Sequence, residues 1–272
     1  NPDLYQFVIQ DAIVITLSRS GLTSEVVQSL RHIRSHSNAK ILSVTLNEQN
    51  SLAEISDLML TLPFAYDHSV CQTRSVVTLY SVSLLLCAFC FKDEALLKEI
   101  EFTIQHYPVY ISQYTQALET IAKREISKVV VLADGVLNGI GEVGALAFSE
   151  IALMQGSYFN LLDFRHGPIA LIHDKTLLIV AIQPEKGHYQ ADMLADLKSY
   201  HAPLITFSAD STTNYTGDLA VSFTGLKHIE TYGIPFIFIM QWVAYKKAVQ
   251  QGINPDKPAN LYSYVCLEET NT

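Results

Sequence analysis

The segment from Ile13 to Glu25 decides the fold, and it reads IVITLSRSGLTSE. It begins with an apolar run dense in β-branched residues, which is typical of a buried strand in a parallel sheet. A short turn rich in hydroxyl groups and glycine follows, and an amphipathic run then extends to about Ser35. Thr23 or Ser24 is a natural N-cap for that run, because its side-chain oxygen accepts from free N–H groups of the first helical turn. The segment therefore predicts a strand, a tight turn and a helix.

The turn of this segment is suited to an anion. A strand that passes through such a turn into a helix directs backbone N–H groups and the positive end of the helix dipole at one point. Ser18, Ser20 and Thr23 add hydroxyl donors, and Arg19 adds a positive charge. An ordinary capped turn uses the same residue types, so the turn by itself leaves a phosphate site and a purely structural turn both open.

Strands and helices alternate along the chain, which indicates an α/β protein with doubly wound parallel sheets. Further strands are predicted at about 40–46, 58–62, 128–132, 158–162, 178–182, 203–207 and 218–223, and further helices at 47–56, 140–154, 189–200 and 235–249. The mixed-charge run 92–124 has helical periodicity and is expected to break at Pro108. We place a domain boundary in this run, which gives domains 1–110 and 111–272.

An internal repeat supports two similar domains. The segment 178–207 has the order and spacing of the segment 13–46, but its turn contains Pro184 and Glu185. Proline lacks an N–H donor and a carboxylate repels phosphate. At this turn, only the first copy is expected to keep an anion loop.

Composition excludes several classes of protein. The formal net charge of −9 over 272 residues argues against a nucleic-acid-binding surface. The apolar run 76–91 is shorter than the roughly 20 residues of a membrane span, so a buried core helix is expected there and no membrane association. Cys87 and Cys90 lie one turn apart in this run as small buried hydrophobes, and no nearby His completes a metal site. No N-terminal pattern resembles a secretion signal, so we expect reduced thiols and a cytoplasmic protein.

A second group of polar residues lies further along the chain. Glu150 falls on a predicted helix, and Arg165-His166-Gly167-Pro168 forms a loop beyond a predicted strand. A carboxylate and an imidazole can exchange protons near neutral pH, so they are a candidate acid–base pair. A solvated helix face and a polar surface loop explain the same residues. His228, beside Glu230 at a helix entrance, is a further candidate.

Taken together, these stretches resemble the two-domain members of the sugar isomerase (SIS) family. Those members include the isomerase half of glucosamine-6-phosphate synthase, amino-sugar deaminases similar to tagatose-6-phosphate ketose/aldose isomerase, and fructosamine-6-phosphate deglycases. The matching stretches are the serine-rich phosphate loop 18–25, a sugar-binding segment at Asp67 and 69–75, the glutamate helix 144–150, the loop 164–168, and the C-terminal stretches 228–230 and 254–265. The spacing between Glu150 and His166 also matches the family.

The resemblance implies two SIS-type, flavodoxin-like domains in tandem that bind a phosphorylated sugar. Ser18, Ser20 and Thr23 would hold the phosphate with Arg19 beside them, and Asp67, Gln72 and Thr73 would lie near the sugar. Glu150 would move a proton between C1 and C2, and His166 would help to open the ring, with Arg165 and His228 as further site residues. In relatives, the histidine loop reaches a neighbouring subunit, which implies a homodimer with shared sites. No metal or organic cofactor is implied.

The chain departs from the family pattern at three places, two of which narrow the expected reaction. The synthase-type members carry lysines where this chain has Ala147 and Ser263, and the chain shows no glutaminase-like stretch. Glutamine-dependent amination is therefore not expected, whereas aldose–ketose isomerisation, deamination and deglycation remain open. Relatives also begin the first domain with another strand and a Gly-Thr-Ser turn, so the start of that domain is expected to be missing from this chain. The alternative is a sugar-phosphate sensor without catalysis.

Overall fold

The computed structural model describes residues 11–184, 188–209 and 217–267. Glu185, in the turn of segment 178–207, lies outside these residues. The chain divides into two compact units, a first unit of residues 1–79 with 259–272 and a second unit of residues 80–258. Each unit is an α/β structure around its own parallel sheet, as the alternation of strands and helices predicts.

The first unit contains a three-stranded parallel sheet in the order β1-β2-β3. Its strands are β1 (Ile13–Ser18), β2 (Lys40–Thr45) and β3 (Leu58–Thr61), and its helix is α1 (Ser24–His36). The apolar stripe of α1 packs on one face of the sheet, and the buried core of this layer consists of Val27, Leu30, Ile41, Leu52 and Ile55. This packing fixes the turn between β1 and α1 at the carboxyl end of the sheet.

The second unit contains a five-stranded parallel sheet in the order β5-β4-β6-β7-β8. Its strands are β4 (Lys128–Leu132), β5 (Gln155–Phe159), β6 (Thr176–Ile182), β7 (Leu204–Ser208) and β8 (Leu219–Ser222). Its helices are α3 (Glu94–Ala122), α4 (Asn138–Ile151), α5 (Tyr189–Ser199) and α6 (Gly233–Gln250). The strand β6 is buried throughout, which is why it is apolar at nearly every position. The units β1-α1-β2 and β6-α5-β7 both form parallel pairs, so the predicted repeat is confirmed.

Two local predictions in the connecting regions are wrong. Residues 47–56 form turns rather than a short helix. The mixed-charge run is one continuous helix, α3, that passes through Pro108 without a break. Pro108 and Ile104, whose carbonyl loses its helical donor, are both exposed, so water can satisfy that carbonyl. The border between the two compact units lies within helix α2 (Arg74–Phe91), and the predicted domain boundary near residue 110 stays a prediction.

Helix α2 (Arg74–Phe91) is less buried than its apolar sequence predicts. Phe91 is 82% exposed, and Cys87 and Cys90 are exposed free thiols rather than buried side chains. By length and composition this helix is apolar enough to cross a membrane, and 22% of it is buried. A single helix of this kind is weak evidence for a membrane span. Composition did not predict the exposure because the helix is apolar on all sides.

Candidate functional site

The turn between β1 and α1 forms the candidate anion loop, which we define as residues 18–23. Gly21 has a φ of +64°, and a side-chain Cβ at this position would lie 2.6 Å from the Cβ of Asn50. The backbone N–H of Gly21 donates to the Ser18 hydroxyl oxygen at 3.0 Å, and the N–H of Leu22 donates to the Ser20 hydroxyl oxygen at 3.2 Å. Both hydroxyl groups therefore accept bonds within the loop and keep their own hydrogens to donate.

Thr23 is the N-cap of α1, as the sequence predicts, but its side chain makes no capping hydrogen bond. Among the residues that the structure describes, the backbone N–H groups of Thr23 and Glu25 also donate to no acceptor. These donors lie at the positive end of the dipole of a 13-residue helix. The loop thus supplies hydroxyl and N–H donors of the kind that a phosphate group needs.

Two residues that the sequence analysis missed hold the anion loop in place. The Thr45 hydroxyl donates to the carbonyl of Arg19 at 3.3 Å, and the side-chain amide of Asn47 donates to the carbonyl of Ser20 at 3.1 Å. Thr45 is the last residue of β2, the parallel neighbour of β1, and Asn47 lies two residues beyond it. Because the carboxyl ends of parallel strands meet at one edge, polar residues at the end of β2 were the available signal.

Arg19 lies in the anion loop but is buried, with 4% of its surface exposed. Its Nη1 donates to the carbonyls of Ser69 at 2.8 Å and Val70 at 3.1 Å, and its Nη2 donates to the carbonyl of Ser263 at 2.5 Å. The guanidinium therefore joins three segments of the first unit. Its predicted contribution to phosphate binding stays a prediction.

Asp67 folds the segment that leads into α2. One carboxylate oxygen accepts the backbone N–H groups of Thr73 at 3.0 Å and Ser75 at 2.8 Å, at the start of that helix. Asp67 is buried, Thr73 is half-buried and Gln72 is exposed. The structure thus gives Asp67 a positioning task, and the predicted contact of these residues with a sugar stays a prediction.

Glu150 and His166 lie on separate elements of the second unit. Glu150 is half-buried in the last turn of α4, and His166 is exposed at the end of a short 3-10 turn, residues 163–166. Gly167, which follows, has a φ of +135° and open space where a side chain would be. Arg165 forms an ion pair with Asp196 at 2.6 Å. Glycine is required at position 167 because the backbone there is in a region that other residues rarely adopt.

His228 belongs to a polar cluster with Glu99, a buried carboxylate of α3. Its backbone N–H donates to Glu99 at 3.0 Å, its ring Nδ1 lies 3.0 Å from the same carboxylate, and the Thr231 hydroxyl donates to it at 2.6 Å. Burial acts to raise the pKa of Glu99, but the hydrogen bonds from Thr231 and His228 outweigh burial and lower it. These contacts make His228 part of the internal structure of the second unit.

A further perturbed carboxylate lies at the carboxyl end of β4. Asp134 accepts the N–H of Leu161 at 3.0 Å, and its backbone carbonyl accepts from the Gln183 side chain at 2.5 Å. Burial raises the pKa of Asp134, and the nearby Asp163 raises it further. The strand order changes direction at β4, so this is the edge where open α/β sheets usually bind ligands.

The predicted site residues fall into two groups, one in each unit. The anion loop and residues 67–73 belong to the first unit, whereas Glu150, Arg165, His166 and His228 belong to the second. The structure brings the members of the first group together through Arg19 and Asp67. A site that combines both groups stays a prediction.

No family model matches the chain. The chain is similar to an isomerizing glutamine–fructose-6-phosphate aminotransferase of Pectobacterium atrosepticum, with 26% identity over 273 residues, which cover 96% of this chain and 45% of the relative. It is also 26% identical to the D-galactosamine-6-phosphate deaminase AgaS of a Shewanella species, covering 95% of this chain and 66% of the relative. The chain thus spans about half the length of the first of these relatives.

A solved structure shows the same fold over nearly the whole chain. A putative tagatose-6-phosphate ketose/aldose isomerase from Clostridium novyi aligns with a TM-score of 0.85 and 21% identity, covering 97% of this chain and 73% of that one. These comparisons confirm the resemblance to the sugar isomerase (SIS) family that the motifs predict, and the solved structure shares the fold of this chain.

Proposed function

We propose that this protein binds a phosphorylated sugar at the anion loop and catalyses its isomerisation, deamination or deglycation. The observation that carries the proposal is the loop itself. The Ser18 and Ser20 hydroxyl groups each accept one loop N–H group and keep a hydrogen to donate, and Thr23 lies at the N-terminus of α1 without a capping hydrogen bond from its side chain. The three similar proteins described above are named for hexose 6-phosphates, which supports a 6-phosphate as the group held by the loop.

In this proposal, Glu150 is the base that moves a proton between C1 and C2 of the open-chain sugar. The sugar carbonyl or imine acidifies the neighbouring C–H, so the proton can leave to a carboxylate and return through an enediol or enolamine. His166 assists ring opening from an exposed turn, and the backbone of Gly167 sets its position. Neither step requires a metal or an organic cofactor.

The assembly expected for such a site is a cytoplasmic homodimer. The exposed position of His166 is compatible with a histidine loop that reaches the site of a second copy. The proposal also includes the finer domain assignment, in which the two parallel sheets are the cores of two SIS-type domains in tandem.

The second candidate function is a sugar-phosphate sensor that binds the same ligand without chemistry. Ala147 favours it, because the synthase-type members carry a lysine at this position of the glutamate helix. Glu150 and His166 favour the enzyme, because a sensor needs neither a base nor a group that opens the ring.

Binding is tested by thermal denaturation with fructose 6-phosphate, glucosamine 6-phosphate and tagatose 6-phosphate, each beside its unphosphorylated sugar. A ligand that binds only the folded protein stabilises it by about 2.7 kcal/mol at a concentration 100 times its Kd. Only the phosphorylated member of a pair should raise the melting temperature. Equal shifts with both members would remove the anion loop from the proposed role.

Catalysis is tested by incubating the binding sugar in D₂O and following the loss of one hydrogen signal by NMR. That hydrogen is on C1 in a ketose such as fructose 6-phosphate and on C2 in an aldose such as glucosamine 6-phosphate. Glu150→Gln should keep phosphosugar binding and slow the incorporation of deuterium by roughly 100-fold or more, because the base is lost. Glu142→Gln, on the exposed side of the same helix, is the matched control and should retain the wild-type rate. Binding without deuterium incorporation in the wild type would support the sensor.

A further inference from the structure

We propose that Arg19 is a positioning residue that fastens the C-terminal segment 263–267 to the anion loop, and that anion binding in the loop depends on this fastening. The inference rests on the proposed function and assigns Arg19 a task other than direct contact with phosphate. All residues involved belong to the first unit.

The guanidinium of Arg19 makes the central contact. Its two terminal nitrogens donate to the carbonyls of Ser69, Val70 and Ser263, so one planar group spans segments that are 50 and 244 residues away in the sequence. The rigid fork of donors in arginine suits such a junction, whereas a lysine ammonium on a flexible stem does not fix three carbonyls in one geometry.

A second contact holds the same segment on the start of α1. The backbone N–H of Ser24 donates to the carbonyl of Val265 at 3.1 Å, and the N–H of Leu267 donates to the Ser24 hydroxyl at 2.8 Å. Segment 263–267 therefore occupies one N–H group at the N-terminus of α1. The N–H groups of Thr23 and Glu25, on either side, stay open for a ligand within the described residues.

The positive charge of Arg19 couples the docking of segment 263–267 to the binding of an anion. Among the described residues, no carboxylate forms an ion pair with it, and its buried Nε has no hydrogen-bond partner. The acceptors of its terminal nitrogens are neutral carbonyls, and the centre of the Tyr66 ring lies 5.9 Å from the guanidinium carbon. A buried cation among neutral groups is costly, and a nearby anion offsets that cost. Anion binding and the docking of segment 263–267 should therefore strengthen each other.

The test compares the wild type with the variants Arg19→Gln and Arg19→Lys and with a control variant, Arg34→Gln. Each protein is studied by amide hydrogen exchange and by titration with inorganic phosphate and fructose 6-phosphate. Arg34 lies on α1 and contacts Ile55 and Asp57, away from segment 263–267. Both Arg19 variants should exchange the Leu267 amide faster and bind fructose 6-phosphate more weakly, by roughly 10- to 100-fold, as expected for loss of charged hydrogen bonds. The control should match the wild type, and fructose 6-phosphate should slow exchange in the wild type and in the control only.

The outcomes distinguish a positioning role of the Arg19 guanidinium from a purely electrostatic one. Wild-type exchange and affinity in Arg19→Lys would show that charge alone matters and would overturn the inference. If the Arg19 variants do not fold, Ser24→Ala takes their place, because it removes only the hydroxyl contact to Leu267. This variant should show faster exchange of the Leu267 amide and weaker binding of fructose 6-phosphate, both to a smaller extent. Unchanged exchange in Ser24→Ala would also overturn the inference. If the wild type binds neither probe, the proposed function fails together with the dependence on an anion, while exchange at Leu267 still decides the fastening.

Discussion

Gly21→Ala is the sharpest structural test of the anion loop. The φ of +64° places Gly21 in the left-handed region, and the new Cβ would lie 2.6 Å from Cβ of Asn50 and 3.3 Å from the hydroxyl oxygen of Thr45. The left-handed conformation costs alanine about 1 kcal/mol relative to glycine. Asn50 must also move, and such overpacking costs about 1 to 3 kcal/mol. The expected total is a loss of about 2 to 4 kcal/mol in the free energy of unfolding.

The displacement of Asn50 extends the effect to binding. Its side-chain oxygen accepts the N–H groups of Leu52 and Ala53, and its amide donates to the carbonyl of Asn47, which itself holds the anion loop. A shift of Asn50 therefore loosens the loop. We expect Gly21→Ala to bind fructose 6-phosphate more weakly than the wild type does.

The assay is urea denaturation followed by circular dichroism, combined with the phosphosugar titration. Gly252→Ala is the matched control, because Gly252 has a φ of +72° but nothing within 4 Å of its new Cβ. Its free energy of unfolding should fall by only the conformational cost of about 1 kcal/mol, and it should bind the phosphosugar as the wild type does. Equal losses for the two variants would refute the steric argument, and unchanged phosphosugar affinity in Gly21→Ala would refute the link to the loop.

Two further predictions concern stability in the second unit. Gly139→Ala should raise the melting temperature, since Gly139 lies in α4 and nothing lies within 4 Å of the added Cβ. Alanine is favoured over glycine in a helix by about 0.5 to 1 kcal/mol. A lower melting temperature would contradict this prediction. Glu99→Gln should destabilise the protein at pH 7 by about 1.5 to 3 kcal/mol, because charged hydrogen bonds from Thr231 and His228 are lost. The pKa of Glu99 in the folded protein is lowered from its ordinary value of 4.5. The stabilisation that the ionised carboxylate provides is therefore fully present well above pH 4.5 and is lost as the pH falls through the folded pKa. Urea titrations at pH 7 and pH 4 should therefore give a smaller difference between variant and wild type at pH 4, and a constant difference would contradict the assignment.

The strands were predictable because burial on both faces of a parallel sheet requires continuous apolar runs. The run in β4 was placed at its observed bounds, Lys128–Leu132. Helix α3 was predicted to break at Pro108, because the sequence shows the lost hydrogen bond but not the packing that keeps the helix continuous. Tyr110 supplies part of that packing, since its hydroxyl donates to the carbonyl of Pro235 in α6 at 2.9 Å. Such tertiary contacts override a local rule.

The anion loop was predictable for a different reason. Its geometry is local, and the order of hydroxyl groups and glycine after a strand determines which donors converge. The supporting contacts are not local. Thr45 comes from the next strand, and Ser263 lies 244 residues beyond Arg19. Hydrophobic periodicity carries no information about such pairs, so the environment of Arg19 required the folded chain.

The hydrogen bonds of Arg19 are compatible with the prediction that it adds a positive charge to the anion loop. Its terminal nitrogens are satisfied by carbonyl oxygens, which are dipoles and leave the net charge of the guanidinium in place. A carboxylate in the same position would have cancelled that charge and made the loop a poor anion site. In a chain with a formal net charge of −9, neutral partners for one buried arginine keep the loop locally positive. In the proposed function, the same residue therefore orders the loop through its donors and attracts an anion through its charge.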